Sequence, residues 1–161
     1  MRTIGWGAII GLIRTLNPLG ATAHATPECG VNLSAPEIQG AINSVPLVHD
    51  WQWNHDTRSL APSSNFNPCS TLSAVIITIE AATGSSPQQA LLFHNGNYVG
   101  TATPRTYAFM SVNAAQTNDD TVALNYKDGR HVCTACPGPI TTVRYQWQGD
   151  HVAMLDPAPP R

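Results

Sequence analysis

The chain has 161 residues, of which 42% are hydrophobic and only 11% are charged, and its formal net charge is −2. This length fits one domain, and the hydrophobic content excludes a disordered polypeptide. Lysine occurs once, at Lys127, and basic residues do not cluster, which excludes a nucleic-acid-binding surface. Thirteen prolines and twelve glycines indicate many turns between short elements.

Residues 1–25 have the features of an export signal. Arg2 provides a short positive region, and the apolar run Ile4–Ile13 is too short for a membrane-spanning helix, which needs about 20 residues. Ala23-His24-Ala25 is a small-x-small cleavage site, so the mature chain would begin near Thr26. The alternative is an anchored or uncleaved tail. After cleavage, six basic and ten acidic residues remain, and a net charge of −4 gives no electrostatic attraction to anionic lipid.

Four cysteines in an exported chain predict two disulfides, for which three pairings exist. We favour Cys29–Cys69, which would tie a loose N-terminal segment to the start of a buried strand, and Cys133–Cys136, which would rigidify a turn. The Cys-x-x-Cys spacing leaves a redox site and a zinc site as alternatives. Pro137-Gly138-Pro139 disfavours the redox site because no helix can follow, and a zinc site would want a second close pair.

A short helix is predicted over residues 35–45. Ser34 is the predicted N-cap, with Pro36 in the first turn and Glu37 three residues after the cap. Pro46 ends the helix. Four apolar side chains recur at helical spacing, so we expect one face to pack on a sheet: Ile38, Ala41, Ile42 and Val45.

The segment 47–56, LVHDWQWNHD, holds the richest cluster of chemically active side chains. In a strand, four of them would share one face: His49, Trp51, Trp53 and His55. Two tryptophans on one face can stack a sugar ring, and two histidines with nearby carboxylates can hold a metal or transfer protons. The alternative is that the tryptophans pack into the core or cover a sheet edge while the polar residues face water.

The most apolar run in the chain is a predicted strand. Val75–Ile79 is five β-branched residues in a row, and both faces of residues 74–79 are apolar, which favours a strand buried on both sides. Asn95-Gly96 between apolar runs predicts a hairpin. Further strands are predicted over residues 107–112, 121–126, 141–147 and 151–155, with Asp119-Asp120 in a turn.

Six or seven strands joined by short turns, with one N-terminal helix, predict an α+β fold. We expect a curved antiparallel β-meander with the helix packed on one face, and a small β-barrel or sandwich is the alternative. The predicted organisation is a signal peptide over residues 1–25, a single domain over residues 26–156 and a disordered Pro-rich tail over residues 157–161.

Several motifs occur together along the mature chain: NFNPCSTLSAV (65–75), ATGSSP (82–87), LLFHNGNYVGTAT (91–103), DDTV (119–122), TVRYQW (142–147) and MLDP (154–157). In this combination the chain resembles the LppP/LprE family of actinobacterial envelope lipoproteins over residues 29–160. Residues 68–103 are the most specific part. The resemblance implies an exported, envelope-associated protein and brings no catalytic residue with it.

One feature departs from a lipoprotein. An acylated cysteine follows a lipobox of small residues, whereas Glu28 directly precedes Cys29 here. Lipid anchoring through Cys29 is therefore doubtful, and acylation would deprive Cys69 of its partner. We expect a secreted or envelope protein that associates with a membrane only if it is acylated or uncleaved.

Three functions remain under consideration. The first, which we adopt, is a non-catalytic module that binds a lipid, glycan or envelope protein in a groove near Trp51 and Trp53, with His49 and His55 beside it. The second is a hydrolase or metal-dependent enzyme using His49, Asp50, His55 and Asp56, although G-x-S-x-G, H-E-x-x-H and P-loop motifs are absent from the sequence. The third is a partner-binding or inhibitory module acting through an exposed loop such as Thr57–Pro68. We expect a monomer with no catalytic residues, metal or cofactor.

Overall fold

The computed structural model describes residues 28–159, and the predicted signal peptide lies outside the described residues. One helix, α1 (Pro36–Ser44), precedes seven strands: β1 (Ser73–Thr78), β2 (Gln88–His94), β3 (Asn97–Thr101), β4 (Met110–Val112), β5 (Thr121–Lys127), β6 (Ile140–Trp147) and β7 (Val152–Met154). Short 3-10 helices cover Thr57–Ser59 and Ala114–Gln116. Between residues 28 and 159, no helix has both the length and the apolar content needed to cross a membrane.

The strands form two antiparallel sheets, β1-β2-β3 and β4-β5-β6-β7, and in the described residues neither sheet closes into a barrel. The predicted α+β fold is therefore confirmed, but the meander is divided between two sheets. The division falls between Thr101 and Met110. Phe109 has a φ of 56°, which is not strand backbone, so the strand predicted over residues 107–112 is reduced to its last three residues.

The first sheet is covered on both faces, which gives three layers: helix, sheet and sheet. Between α1 and the first sheet lie Ile38, Ile42, Trp53, Phe66, Val75, Ile77, Leu91 and Phe93. Between the two sheets lie Leu72, Ala74, Ile76, Leu92, Val122, Leu124, Val143 and Tyr145. Residues 73–77 of β1 are at most 1% exposed, because successive side chains point to opposite faces of the strand and pack alternately into the two cores. Each large side chain buried in this way contributes about 1.5–3 kcal/mol.

Helix α1 begins one residue later than predicted, and the predicted cap by Ser34 was wrong. Ala35 is the N-cap residue, and no side chain caps the helix. The cause is Pro36, which forces the preceding residue into extended backbone, observed for Ala35 at φ −63° and ψ 136°. The N–H of Ser34 instead donates to Oδ1 of Asn32 at 3.1 Å.

The outer edge of β1 is closed by the loop that precedes it. Loop N–H groups donate to three alternate carbonyls of β1 at 2.9–3.0 Å: Asn54 to Thr78, Ala61 to Ile76 and Asn65 to Ala74. Phe66 of the same loop is fully buried. Thr57–Pro68 is a loop, as predicted, but it is not the exposed loop considered for partner binding, because its backbone helps to complete the sheet edge.

The C-terminal segment contacts the body of the protein as far as Pro159. The carboxylate of Asp156 pairs with Arg144 at 2.9 Å, and that guanidinium lowers the pKa of Asp156 to about 2. Pro159 is buried, and its carbonyl accepts a hydrogen bond from the hydroxyl of Tyr107 at 3.1 Å. Pro160 and Arg161, at the end of the predicted tail, lie outside the described residues.

Both disulfides favoured from the sequence are present: Cys29–Cys69 with S–S 2.02 Å and Cys133–Cys136 with S–S 1.99 Å. Asn67 reinforces the first, because its Oδ1 accepts from the N–H of Gly30 at 3.1 Å and of Cys69 at 3.0 Å. The segment before α1 is therefore fixed to the loop that leads into β1.

The two disulfides should differ in their effect on stability. Cys29 and Cys69 are 40 residues apart, and chain entropy predicts a loss of about 4 kcal/mol when both are replaced by serine. Cys133 and Cys136 are 3 residues apart, and the corresponding loss is about 1.6 kcal/mol. Urea unfolding of the two double variants measures the difference, and equal losses would contradict the assigned role of Cys29–Cys69.

Candidate functional site

The segment 47–56 is not a strand, so the shared face that a strand would give its histidines and tryptophans does not form. His49 has a φ of 54° and lies in a turn closed by the N–H of Trp51, which donates to the carbonyl of Val48 at 3.1 Å. The turn leaves Trp51 53% exposed, while Trp53 is 2% exposed and packs into the core beneath α1. The two tryptophans therefore have different environments.

The polar residues of the same segment do not converge either. His55 Nδ1 lies 3.0 Å from Oε1 of Gln39, whose Nε2 donates to the carbonyl of His55. Asp56 pairs with Arg58 at 2.6 Å, and hydrogen bonds from Arg58 lower the pKa of Asp56. His49 and Asp50 are exposed at the turn. Among residues 28–159, no three His, Cys, Asp or Glu side chains are grouped so that they could hold a metal ion.

Trp53 lines a pocket of about 370 Å³, called the Trp53 pocket here. Residues 45–48, directly after α1, form one wall, and Thr101 with residues 104–106 forms the other. Gln89 of β2 also belongs to the pocket lining. The indole N–H of Trp53 donates to the carbonyl of Pro46 at 3.1 Å, which holds the first wall against the core. The side chains of Val45, Pro46, Leu47, Val48, Trp53 and Pro104 make this lining largely apolar.

Gln89 gives the Trp53 pocket its one unusual polar feature. Its side chain is 4% exposed, and Nε2 donates to the carbonyl of Thr103 at 2.6 Å, which fixes the orientation of the amide. Oε1 has no hydrogen-bond partner, and in the described chain no other buried side-chain nitrogen or oxygen lacks one. An unpartnered buried acceptor costs about 1–3 kcal/mol. Oε1 is itself shielded from solvent, so a bound molecule would remove this penalty only if its donor reaches this atom from the pocket.

Arg105 contributes a positive charge to the same pocket. Three other arginines of the described chain pair with carboxylates at 2.6–2.9 Å: Arg58, Arg130 and Arg144. Arg105 is exposed, and in residues 28–159 no carboxylate lies within salt-bridge distance of it. Its guanidinium carbon lies 5.8 Å from the centre of the Tyr107 ring, which gives the side chain an aromatic contact.

Two further concavities are present. An aromatic pocket of about 300 Å³ is lined by Tyr107, Phe109 and Tyr126, and the ammonium group of Lys127 lies 4.6 Å from the Phe109 ring centre. A groove of about 540 Å³ separates the edge strands β3 and β7, where Val99 and Met154 are each 39% exposed. Neither concavity was predicted, because each depends on how the two sheets are placed.

Tyr126 and Tyr145 connect these two concavities through the core. Their hydroxyl oxygens lie 2.9 Å apart, and the two residues are 4% and 1% exposed. Burial raises the pKa of Tyr145 to about 12. Burial, with the neighbouring Tyr145, raises the pKa of Tyr126 still further. Both phenols are therefore held in the neutral form.

The free energy of unfolding should consequently fall in alkaline solution. Unfolded tyrosines ionise near pH 10, whereas Tyr145 ionises near pH 12 in the folded chain. The contribution of the neutral Tyr145 to the free energy of unfolding is complete below pH 10. It is lost between pH 10 and about 12, at about 1.4 kcal/mol per pH unit. Urea unfolding at pH 9 and pH 11 should show this loss, and a Tyr126→Phe/Tyr145→Phe variant should lack much of it. Identical pH slopes for the two proteins would contradict the prediction.

Comparison with known proteins identifies the family of this chain. The family model described as LppP/LprE lipoprotein matches residues 64–150, which contain Gln89 and Arg105. The chain belongs to the LppP/LprE lipoprotein family. This confirms the resemblance seen in the sequence motifs. The family is one of envelope or extracytoplasmic proteins.

Mycobacterial relatives support the assignment. The chain is 33% identical over 142 residues to a Mycobacterium leprae protein that bears the lipoprotein name LprE, covering 83% of this chain and 63% of that protein. It is 31% identical over 129 residues to proteins of the same name from Mycobacterium bovis and Mycobacterium tuberculosis, covering 79% of this chain and 58% of each. The chain thus spans about three fifths of the length of these curated relatives. No solved structure matches it.

The sequence contained weak signals for the pocket residues that were missed. Gln89 stands in a strand whose later residues are apolar, and a glutamine in a doubly buried strand needs hydrogen-bond partners. Arg105 follows Pro104 in a turn between the two sheets. Of the four predicted binding residues, Trp53 lines the Trp53 pocket, whereas His49, Trp51 and His55 are exposed and do not line it. A binding role for all four stays a prediction.

Proposed function

We propose that this protein is a non-catalytic binding module of the cell envelope that holds a small amphipathic molecule of the lipid class in the Trp53 pocket. The observation that carries the proposal is Gln89, a buried residue in an otherwise largely apolar pocket lining, whose Oε1 lacks a hydrogen-bond partner. Apolar walls favour the hydrocarbon part of a ligand, and the buried acceptor favours a ligand with one N–H or O–H donor.

The size of the pocket limits the ligand. A volume of about 370 Å³ corresponds to roughly a dozen water-sized groups at about 30 Å³ each. This space suits a single short acyl chain, or the end of a longer one that extends into solvent, with its first polar group near Gln89. It does not enclose a whole two-chain lipid. The exposed Leu47 of the lining, and the exposed Trp51 that pairs with Val48 of the lining, would extend the apolar contact for a longer chain.

The disulfide between Cys29 and Cys69 supports a form of the protein without lipid on Cys29. A sulfur atom in this disulfide cannot also carry the thioether of a lipoprotein anchor. Glu28 before Cys29 is also unsuited to a lipobox. We therefore propose that the mature domain is released into the extracytoplasmic space or retained in the envelope by other contacts.

A partner-binding module is the second candidate, and the groove between β3 and β7 favours it. Both are edge strands, and Val99 and Met154 expose apolar surface between them. An extended segment of a partner protein could add to either edge, because an edge strand presents unpaired backbone groups. The loop over residues 52–65 already occupies the corresponding edge of β1, so strand addition there is blocked.

The proposal is tested with two isomers of equal size, an alcohol and an ether, of which only the alcohol has a hydrogen-bond donor. Wild-type protein should bind 1-octanol about fivefold more tightly than its isomer 1-methoxyheptane, since one net hydrogen bond to Gln89 is worth about 1 kcal/mol. Gln89→Met should abolish this preference because it keeps the side-chain length and removes the acceptor. NMR titration of the two ligands measures both affinities.

The matched control is Gln116→Met, which makes the same substitution at an exposed glutamine outside the pocket. This variant should keep the wild-type preference for the alcohol. Binding of neither ligand by the wild-type protein would contradict the proposal and favour the groove between β3 and β7. A preference for the alcohol that survives in Gln89→Met would show that Gln89 is not the recognising group.

A further inference from the structure

We infer that the Trp53 pocket selects amphiphiles with an anionic head group and that Arg105 recognises the charge. This inference rests on the proposed function and specifies the ligand class for the same pocket. The head group would be a carboxylate or a phosphate, since a guanidinium presents its N–H groups in a fork that matches both.

The distribution of charge supports an anionic ligand. The predicted mature chain has a net charge of −4, yet no acidic side chain is among the described residues that line the pocket. Arg105 is the one charged residue in that lining. Its positive charge therefore meets no compensating carboxylate in the described part of the chain, and an anion bound there would complete the pair.

The other arginine and lysine side chains of the described chain already have partners within the protein. Arg58, Arg130 and Arg144 have carboxylate partners. The Lys127 ammonium group donates to the carbonyls of Thr134 and Cys136 at 2.8 Å each. Arg105 differs from these four because its guanidinium has no hydrogen-bond or salt-bridge partner among the described residues, and its contact with the Tyr107 ring leaves its N–H groups available to a ligand.

The placement of Arg105 fits an amphiphile. Pro104 and Thr106 on either side of it form part of the pocket wall, while Arg105 itself is exposed. A hydrocarbon chain inside the pocket and an anionic group at the solvent-facing arginine would match this division of apolar and charged surface. Gln89 lies among the buried residues and would take a neutral hydroxyl or amide donor of the same ligand.

The test compares 1-octanol, octanoate and octyl phosphate by NMR titration at about 20 mM and about 500 mM salt. At low salt, wild-type protein should bind at least one of the two anions about five- to tenfold more tightly than 1-octanol, the range expected for a charged hydrogen bond at a partly exposed site. The preference should shrink at high salt because screening weakens an exposed charge pair. The stronger of the two anions identifies a carboxylate or a phosphate as the preferred head group.

Arg105→Gln should lose the preference for the anion while its affinity for 1-octanol stays within about twofold of wild type, because a neutral glutamine keeps polar bulk but not charge. Arg58→Gln removes an exposed arginine that is not part of the pocket and should behave as wild type. The amide spectrum of each variant confirms that it is folded before affinities are compared.

The outcomes separate this inference from the proposed function. If 1-octanol binds and neither anion binds more tightly, the pocket is a binding site but the anion selectivity is wrong. An anion preference that persists in Arg105→Gln overturns the role of Arg105. If none of the three ligands binds, the proposed function itself fails, and this inference fails with it.

Discussion

Strand β1 has no side that faces solvent, and this burial determines where the other elements lie. Its odd-numbered apolar side chains pack under α1, and its even-numbered ones pack against the second sheet. Hydrogen bonds from the loop over residues 52–65 close its outer edge. Because five consecutive residues of β1 are buried, the chain must place one layer on each side of the strand. The Cys29–Cys69 disulfide fixes the segment that precedes the helix to the entrance of this strand.

The Trp53 pocket forms where the helical layer ends. Gln89 pairs with Ile77 of β1 and therefore lies on the same face of the first sheet as Leu91 and Phe93. The helix ends at Ser44, and residues 45–48 after it line the pocket at this part of the face. Trp53 holds residues 45–48 in place, because its indole N–H donates a hydrogen bond to the carbonyl of Pro46. Gln89, a polar side chain at the margin of this buried face, thus forms part of the lining of the Trp53 pocket.

Local patterns in the sequence were sufficient to predict some of the secondary-structure elements. The run of β-branched residues predicted β1, and Asn95-Gly96 predicted the hairpin, in which the two residues have φ values of 46° and 78°. Other features depend on contacts that are distant in sequence. Phe109 has left-handed backbone without a local signal for it, so the break between the sheets was not foreseen. The orientation of the Gln89 amide, which leaves Oε1 without a partner, depends on the carbonyl of Thr103, which does not adjoin Gln89 in the chain.

The most direct test of a carried amphiphile is the mass of the protein isolated, without detergent, from the envelope of its own organism. We predict that the native mass exceeds the denatured mass by that of a small anionic amphiphile, which organic extraction should release. The excess should be absent from the same preparation of a Gln89→Met/Arg105→Gln protein. Identical native and denatured masses for the wild-type protein would contradict the account, and the function would then have to be sought at the groove between β3 and β7.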